Sequence, residues 1–151
     1  MPNLKNFDSE RLCNYHEKLI DREIEKPERL DEINVRRSEI RAELERRALK
    51  NEFVRPKAGK LSFYGYRVGR TRGKIQDHRR KTLIKIYQEQ NLPIIGSLLY
   101  VKEWGEPQSL ERLQKMKNCL AGFLNGDHYS GNMERAFQEW EDDLKWLEEN
   151  F

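Results

Sequence analysis

The sequence predicts a mainly α-helical protein, in which an N-terminal helical hairpin or coiled-coil arm precedes a compact helical domain. Apolar residues recur at helical spacing in several stretches of the 151-residue chain. Only 36% of the residues are apolar and another 36% are charged, well above the usual ~25%. Surface is therefore plentiful relative to core, as expected of an elongated helical shape.

The first predicted helix spans residues 9–24. Asp8 or Ser9 is a suitable N-cap, because a short oxygen-bearing side chain can accept a hydrogen bond from a free N–H of the first turn. Leu12, Leu19 and Ile20 then recur at the spacing of one helix face.

The second predicted helix, residues 27–50, opens with Pro27 at its first position. Its apolar face is a narrow stripe that Arg37 interrupts, and we expect this stripe to be too narrow for a globular core. The stripe therefore packs in a hairpin within the chain, or against a second copy or a protein partner. The predicted contact residues are Leu30, Ile33, Ile40 and Leu44.

Pro56 and Gly59 break this helix, so we divide the chain into an arm, 1–53, and a helical domain, 54–151. Within the domain we also expect a small β element around 61–68 or 94–102.

Three further helices are predicted in the second part of the chain. The first has Ile75, Leu83, Ile86 and Tyr87 on its apolar face. The other two should pack as an antiparallel pair, because both have long apolar stripes. Ser109 caps one, whose inward residues are Leu110, Leu113, Met116, Leu120, Phe123 and Leu124. Ser130 or Asn132 caps the last, whose stripe is Met133, Phe137, Trp140, Leu144 and Leu147.

Four short motifs occur in this part of the sequence: GYRVG (65–69), HRRKTLIKI (78–86), EWGEPQSLERL (103–113) and WEDDLKWLEE (140–149). They resemble motifs of small bacterial domains to which no function is assigned. The resemblance covers residues 61–150. It implies one folding unit and no particular activity.

Charge is distributed very unevenly along the chain. Residues 1–53 carry 12 basic and 13 acidic side chains, a net charge of −1. Residues 54–85 carry 11 basic and one acidic side chain, or +10, and residues 86–151 carry 6 and 12, or −6. The concentrated basic segment is the most informative feature of the sequence.

The leading hypothesis is a non-enzymatic protein whose basic 55–85 segment binds nucleic acid phosphates. Clustered Lys and Arg supply sequence-independent affinity for phosphates, and tyrosines among them can stack on bases. The predicted binding residues are Tyr64, Tyr66, Arg67, Arg70, Arg72, Lys74, Arg79, Arg80 and Lys81.

Two alternatives use the same charge pattern. The segment binds an acidic protein, or it is an ordinary surface that an acidic patch of the last helix, including Glu139 and Asp143, neutralises within the molecule. A separate alternative is an interaction, assembly or inhibitor module acting through the 27–50 helix, as a homodimer or with another protein.

The sequence motifs give little support for an enzymatic function. Gly69 to Lys74 is one residue too short for a P-loop, and Ile75 stands where a hydroxyl is required. A metal-dependent nuclease is the third hypothesis, with Asp127 and His128 joining Glu139 or Asp143 at a divalent ion. Asp127 and His128 are more simply explained by a polar turn, so we predict no catalytic residue, metal or cofactor.

Cys13 and Cys119 lack the spacing of zinc ligands and are too few for a disulfide framework. No apolar run reaches the ~18–20 residues of a membrane span. We therefore expect a cytoplasmic protein with two reduced cysteines and no membrane partner.

Overall fold

The computed structural model describes residues 3–50, 60–90, 92, 104–125 and 133–151. Within these ranges the chain has six α-helices and no strand, which confirms the mainly α prediction. They are α1 (Ser9–Glu25), α2 (Leu30–Leu49), α3 (Lys60–Phe63), α4 (Gln76–Gln88), α5 (Leu110–Leu124) and α6 (Glu134–Asn150). Short 3-10 helices span Leu4–Asn6 and Pro27–Arg29. Among the described helices, none is both long enough and apolar enough to cross a bilayer.

The helix caps follow from side chains that the sequence places at the right positions. The Asp8 carboxylate accepts a hydrogen bond from the Arg11 N–H at 2.7 Å, and the Ser109 hydroxyl accepts one from the Arg112 N–H at 3.1 Å. Both caps satisfy a first-turn N–H that has no partner within its helix. The caps predicted for α6, Ser130 and Asn132, lie outside the described residues.

Helices α1 and α2 form an antiparallel hairpin. Arg36 donates to the Tyr15 hydroxyl at 3.1 Å, and Arg47 donates to the Ser9 hydroxyl at 3.2 Å, so the end of α2 lies beside the start of α1. Ile40 and Leu44 are completely buried. Packing within the chain is therefore the alternative that the structure adopts for this stripe.

The apolar stripe of α2 sits in a core, contrary to our expectation that it was too narrow. Three arginines of this helix, Arg36, Arg37 and Arg47, are buried beside the stripe. Their aliphatic stems cover apolar surface while their charged ends bind polar partners, which widens the buried face. Arg47 bonds Glu43 of its own helix at 2.9 Å.

Helices α5 and α6 pack against each other, as predicted, and the rings of Phe123 and Trp140 lie 5.3 Å apart. Two predicted core residues are wrong. Leu110 is 84% exposed and Ile75 is 74% exposed. Ile75 is the N-cap of α4 and Leu110 is the first residue of α5. At the first position of a helix, the helical spacing of apolar residues is a poor guide to which side chains are buried.

The structure has no strand at 61–68, where a β element was predicted: residues 61–63 belong to α3, 64–65 form a turn and 66–68 have no regular secondary structure. The alternative at 94–102 and the boundary at 53/54 lie outside the described residues. Contacts join the predicted arm to the predicted domain, since α1 packs against both α3 and α4.

A buried histidine links α1 to α2 and α3. The His16 side chain is fully buried, stacks on the Phe63 ring with centroids 4.2 Å apart, and accepts a hydrogen bond from Arg37 Nε at 3.2 Å. Burial and the neighbouring Arg37 charge hold the pKa of His16 well below its ordinary value of 6.5. The ring is therefore neutral at pH 7.

Arg112 of α5 is a buried clamp for backbone carbonyls. It is 2% exposed and donates to the carbonyls of Trp104 and Gly105 and to those of Ile86, Tyr87 and Glu89 at the end of α4. The last carbonyls of a helix have no partner within it, so one guanidinium satisfies several of them. Burial lowers the pKa of Arg112 from its ordinary value.

The buried His16 predicts that the protein loses stability in mild acid. Below pH 6.5 the unfolded chain binds a proton at this position and the folded chain does not. The free energy of unfolding should therefore fall by up to about 1.4 kcal/mol per pH unit from this group alone. Urea unfolding between neutral pH and pH 5 measures the slope. A His16→Gln variant, which keeps an acceptor for Arg37, should show a shallower slope; equal slopes would contradict the assignment.

Replacement of the carbonyl clamp should also destabilise the fold. Arg112→Met keeps the length of the side chain but leaves several buried carbonyls without a donor. Since each costs about 1–3 kcal/mol, we expect the free energy of unfolding to fall by at least about 3 kcal/mol. Arg29→Met, at an exposed position, is the control and should change it by less than about 0.5 kcal/mol. A small effect of Arg112→Met in urea unfolding would refute the role of the clamp.

Candidate nucleic-acid interface

Within the basic segment, residues 67–74 form a closed loop between α3 and α4. The Lys74 N–H donates to the Arg67 carbonyl at 3.0 Å and joins the two ends of this loop. Gly73 packs directly on Gly69, because a Cβ added to Gly73 would lie 2.0 Å from the Gly69 oxygen. Gly69 also has φ +95°, a conformation that favours glycine. We call residues 69–73 the arginine loop, after Arg70 and Arg72 at its tip.

One side of the loop base is fixed to α1 by ion pairs. Arg67 bonds Glu17 at 2.6 Å, and Lys74 Nζ bonds Asp21 at 2.7 Å. The Lys74 ammonium lies over Gly65, where a Cβ would be only 2.7 Å from Nζ. A side chain at position 65 would therefore displace the Lys74 ammonium from this place.

The other side of the base is fixed to α6 by a buried carboxylate. Asp143 is completely buried and accepts hydrogen bonds from the Tyr66 hydroxyl at 2.6 Å and from Arg79 Nε at 2.7 Å. Glu139 accepts from the Gly69 N–H at 3.0 Å and also pairs with Arg79. The carboxylates of α6 thus hold both the loop and the start of α4.

Electrostatics keep these groups in the forms that the contacts need. Burial and the adjacent Asp143 charge raise the pKa of Tyr66, so its hydroxyl stays protonated and donates. Burial also raises the pKa of Tyr64. Arg80 lies 4.0 Å from the Asp143 carboxylate, and its guanidinium faces the Trp146 ring at 5.3 Å.

The nine predicted nucleic-acid residues therefore separate into two groups. Six of them serve the fold. The rings of Tyr64 and Tyr66 are buried. The other four make ion pairs with acidic side chains: Arg67, Lys74, Arg79 and Arg80. The predicted stacking of Tyr64 or Tyr66 on bases is incompatible with this fold, because both rings lie in the core. Of the remaining three, Lys81 is 53% exposed and pairs with Asp77 at 3.0 Å.

Arg70 and Arg72 are exposed at the tip of the arginine loop. Neither has an ion pair or a side-chain hydrogen bond with any part of the chain that the structure describes. Acidic residues of α1 and α6 thus pair with the cations around the base of the arginine loop, while the two arginines at its tip make no described ion pair.

The residues predicted for oligomerisation are mostly occupied within the chain. Ile33, Ile40 and Leu44 are buried in the hairpin, so they offer no face to a second copy in this fold. Leu30 is 38% exposed. Contacts between α1 and α2 within the chain therefore occupy most of the predicted stripe.

The proposed nuclease residues, Asp127 and His128, lie outside the described residues. Across the ranges that the structure describes, no three His, Cys, Asp or Glu side chains form a group suited to a metal ion.

Sequence reasoning missed a second charged cluster, formed by Glu23, Arg37, Arg41, Lys85 and Glu89 between α1, α2 and α4. Its only signal in the sequence was Arg37 in the middle of an apolar stripe. In the sequence, the four other residues resemble ordinary surface charges of helices, and only the packing of the helices brings them together.

Asp143 should contribute far more to stability than its neighbour. Asp143→Asn removes the charge that two buried partners face, and breaking a buried ion pair typically costs about 3–5 kcal/mol. Asp142→Asn is a matched control, because Asp142 accepts a hydrogen bond only from Gln138 of its own helix within the described contacts. Urea unfolding should show a loss of several kcal/mol for the first variant and about 0.5 kcal/mol or less for the second. Equal losses would contradict the role of Asp143.

No protein-family model, curated protein or solved structure matches this chain. Its proposed function therefore rests on its own residues and contacts.

Proposed function

We propose that this protein binds nucleic acid through phosphate contacts of the arginine loop, with Arg70 and Arg72 as the principal contact residues. The observation that supports this function is a pair of exposed arginines at the tip of a loop whose base is tied to two helices. The acidic side chains at the base do not reach these two arginines in the described contacts.

The construction of the loop favours anion binding. A guanidinium presents several donors in a planar fork that matches two oxygens of a phosphate. Because ion pairs to α1 and hydrogen bonds to α6 hold the base, little backbone freedom is lost when a ligand binds, and such preorganisation increases affinity. The hydroxyl of Thr71, also exposed between the two arginines, adds a donor at the same tip.

The neutralised base limits the size of the interface. Arg67, Lys74 and Arg79 already have carboxylate partners, so their exchange for phosphates would break contacts of the fold. We therefore expect a small number of phosphate contacts and a moderate dependence of affinity on salt, rather than the steep dependence of a segment carrying +10.

Fluorescence anisotropy with labelled single-stranded and double-stranded oligonucleotides tests this function. Arg70→Gln with Arg72→Gln should weaken binding about tenfold or more at low salt, since hydrogen bonds to charged groups contribute about 1.5–3 kcal/mol each. The slope of log K against log salt, measured between about 50 and 200 mM, should become shallower by about 1.5, because each phosphate that the protein no longer neutralises lowers the slope by about 0.7–0.9.

The control variant is Lys26→Gln with Arg29→Gln, which removes the same charge from exposed positions at the α1–α2 turn. It should bind nearly as well as the unmodified protein. Two results would refute the proposal: no binding by the unmodified protein at low salt, or equal weakening by the two double variants.

A further inference from the structure

A groove of about 780 Å³ lies between the end of α1, the beginning of α2 and α4. Apolar side chains form part of its lining: Ile24, Pro27, Leu30 and Ile84. Charged side chains form another part: Glu23, Arg37, Arg41, Lys81, Lys85 and Glu89. The groove thus combines an apolar surface with an ionic one, as small-molecule sites commonly do.

The carboxylates of the groove are shared among several cations. Glu89 lies 2.9 Å from Arg37, 3.3 Å from Arg41 and 3.8 Å from Lys85. Glu23 lies 2.5 Å from Lys85 and 3.6 Å from Arg37. In the described ion pairs of the groove, three cations therefore share two carboxylates, and Arg41 also donates to the Ser38 hydroxyl at 2.9 Å.

These charged side chains are largely shielded from water. The side chains of Arg37, Arg41 and Lys85 are 2%, 24% and 20% exposed, and those of Glu23 and Glu89 are 13% and 10% exposed. Water screens charges weakly at such depth. The lining contains four cations and two carboxylates, so an anion that enters the groove is attracted by its net positive charge.

Lys81 adds a further positive charge at the edge of the groove. Its side chain is 53% exposed, and its described ion-pair partner, Asp77, is 71% exposed and is not part of the lining. Such an exposed pair contributes little to stability, so Lys81 can turn to a ligand at small cost.

We propose that this groove binds a small organic oxyanion, a phosphate or a carboxylate, that carries an apolar body. The oxyanion lies against Arg41, Lys81 and Lys85, and the apolar body lies against Leu30 and Ile84. The 38% exposed Leu30 gains burial from such a ligand, which an inorganic anion cannot provide. The site is separate from the proposed nucleic-acid function, because neither Arg70 nor Arg72 lines the groove.

Isothermal titration calorimetry of the full chain with phenyl phosphate, benzoate and inorganic phosphate tests the proposal. Phenyl phosphate or benzoate should bind saturably, and the better of the two shows whether the site prefers a phosphate or a carboxylate. Phenyl phosphate should bind about tenfold more tightly than inorganic phosphate, because its ring buries apolar surface.

Two variants at exposed positions separate the roles of charge and apolar contact. Lys81→Gln should weaken phenyl phosphate binding about tenfold or more, as expected for the loss of one hydrogen bond to a charged group. Leu30→Ser should reduce the preference for phenyl phosphate over inorganic phosphate. Neither substitution touches a completely buried side chain, so both variants should fold.

Arg70→Gln with Arg72→Gln is the control and should leave phenyl phosphate affinity unchanged. Any of three results would overturn the groove proposal: no saturable binding of phenyl phosphate or benzoate into the millimolar range, unchanged affinities in Lys81→Gln and Leu30→Ser, or loss of binding in the arginine-loop variant alone. None of these results depends on whether the protein binds an oligonucleotide.

Discussion

The buried ion pair between Arg79 and Asp143 holds together the central part of this structure. It joins α4 to α6, and the same carboxylate receives the hydroxyl of Tyr66 at the base of the arginine loop. Asp143 is completely buried and Arg79 is 3% exposed, so each charge depends on the other for solvation. A buried pair of this kind need not stabilise a fold more than apolar residues do, but it strongly disfavours any arrangement that separates its members.

Buried charges that meet a fixed partner also explain how a chain with few apolar residues builds a core. Arginines occupy interior positions in α2, α4 and α5, and each directs its charged end to a fixed acceptor. Arg37 reaches a histidine and two carboxylates, whereas Arg112 reaches only backbone carbonyls in the described contacts. The aliphatic parts of these side chains extend the apolar surface, and their polar ends fix which helices lie side by side.

Pairing with carboxylates inside the fold also distinguishes the cations that hold the structure together from those that a ligand can reach. Four cations of the basic segment, Arg67, Lys74, Arg79 and Arg80, pair with carboxylates of the fold, with α1 supplying Glu17 and Asp21 and α6 supplying Glu139 and Asp143. In contrast, Arg70 and Arg72 have no described carboxylate partner, and cations outnumber carboxylates in the lining of the groove beside α4. The two proposed sites therefore arise from one charge balance, yet they suit different ligands, because one is an exposed tip and the other a partly apolar cleft.

Local sequence was sufficient to predict the five longer helices, the caps at Asp8 and Ser109, and most of the stripes of α5 and α6, because those features depend on residues three or four positions apart. It did not reveal that Tyr64 and Tyr66 are core residues, or that Arg79 meets a carboxylate 64 positions later. Periodicity shows which residues share a helix face but not which charges meet across helices. Only tertiary packing, which removes these side chains from water, decided which cations are structural and which stay at the surface.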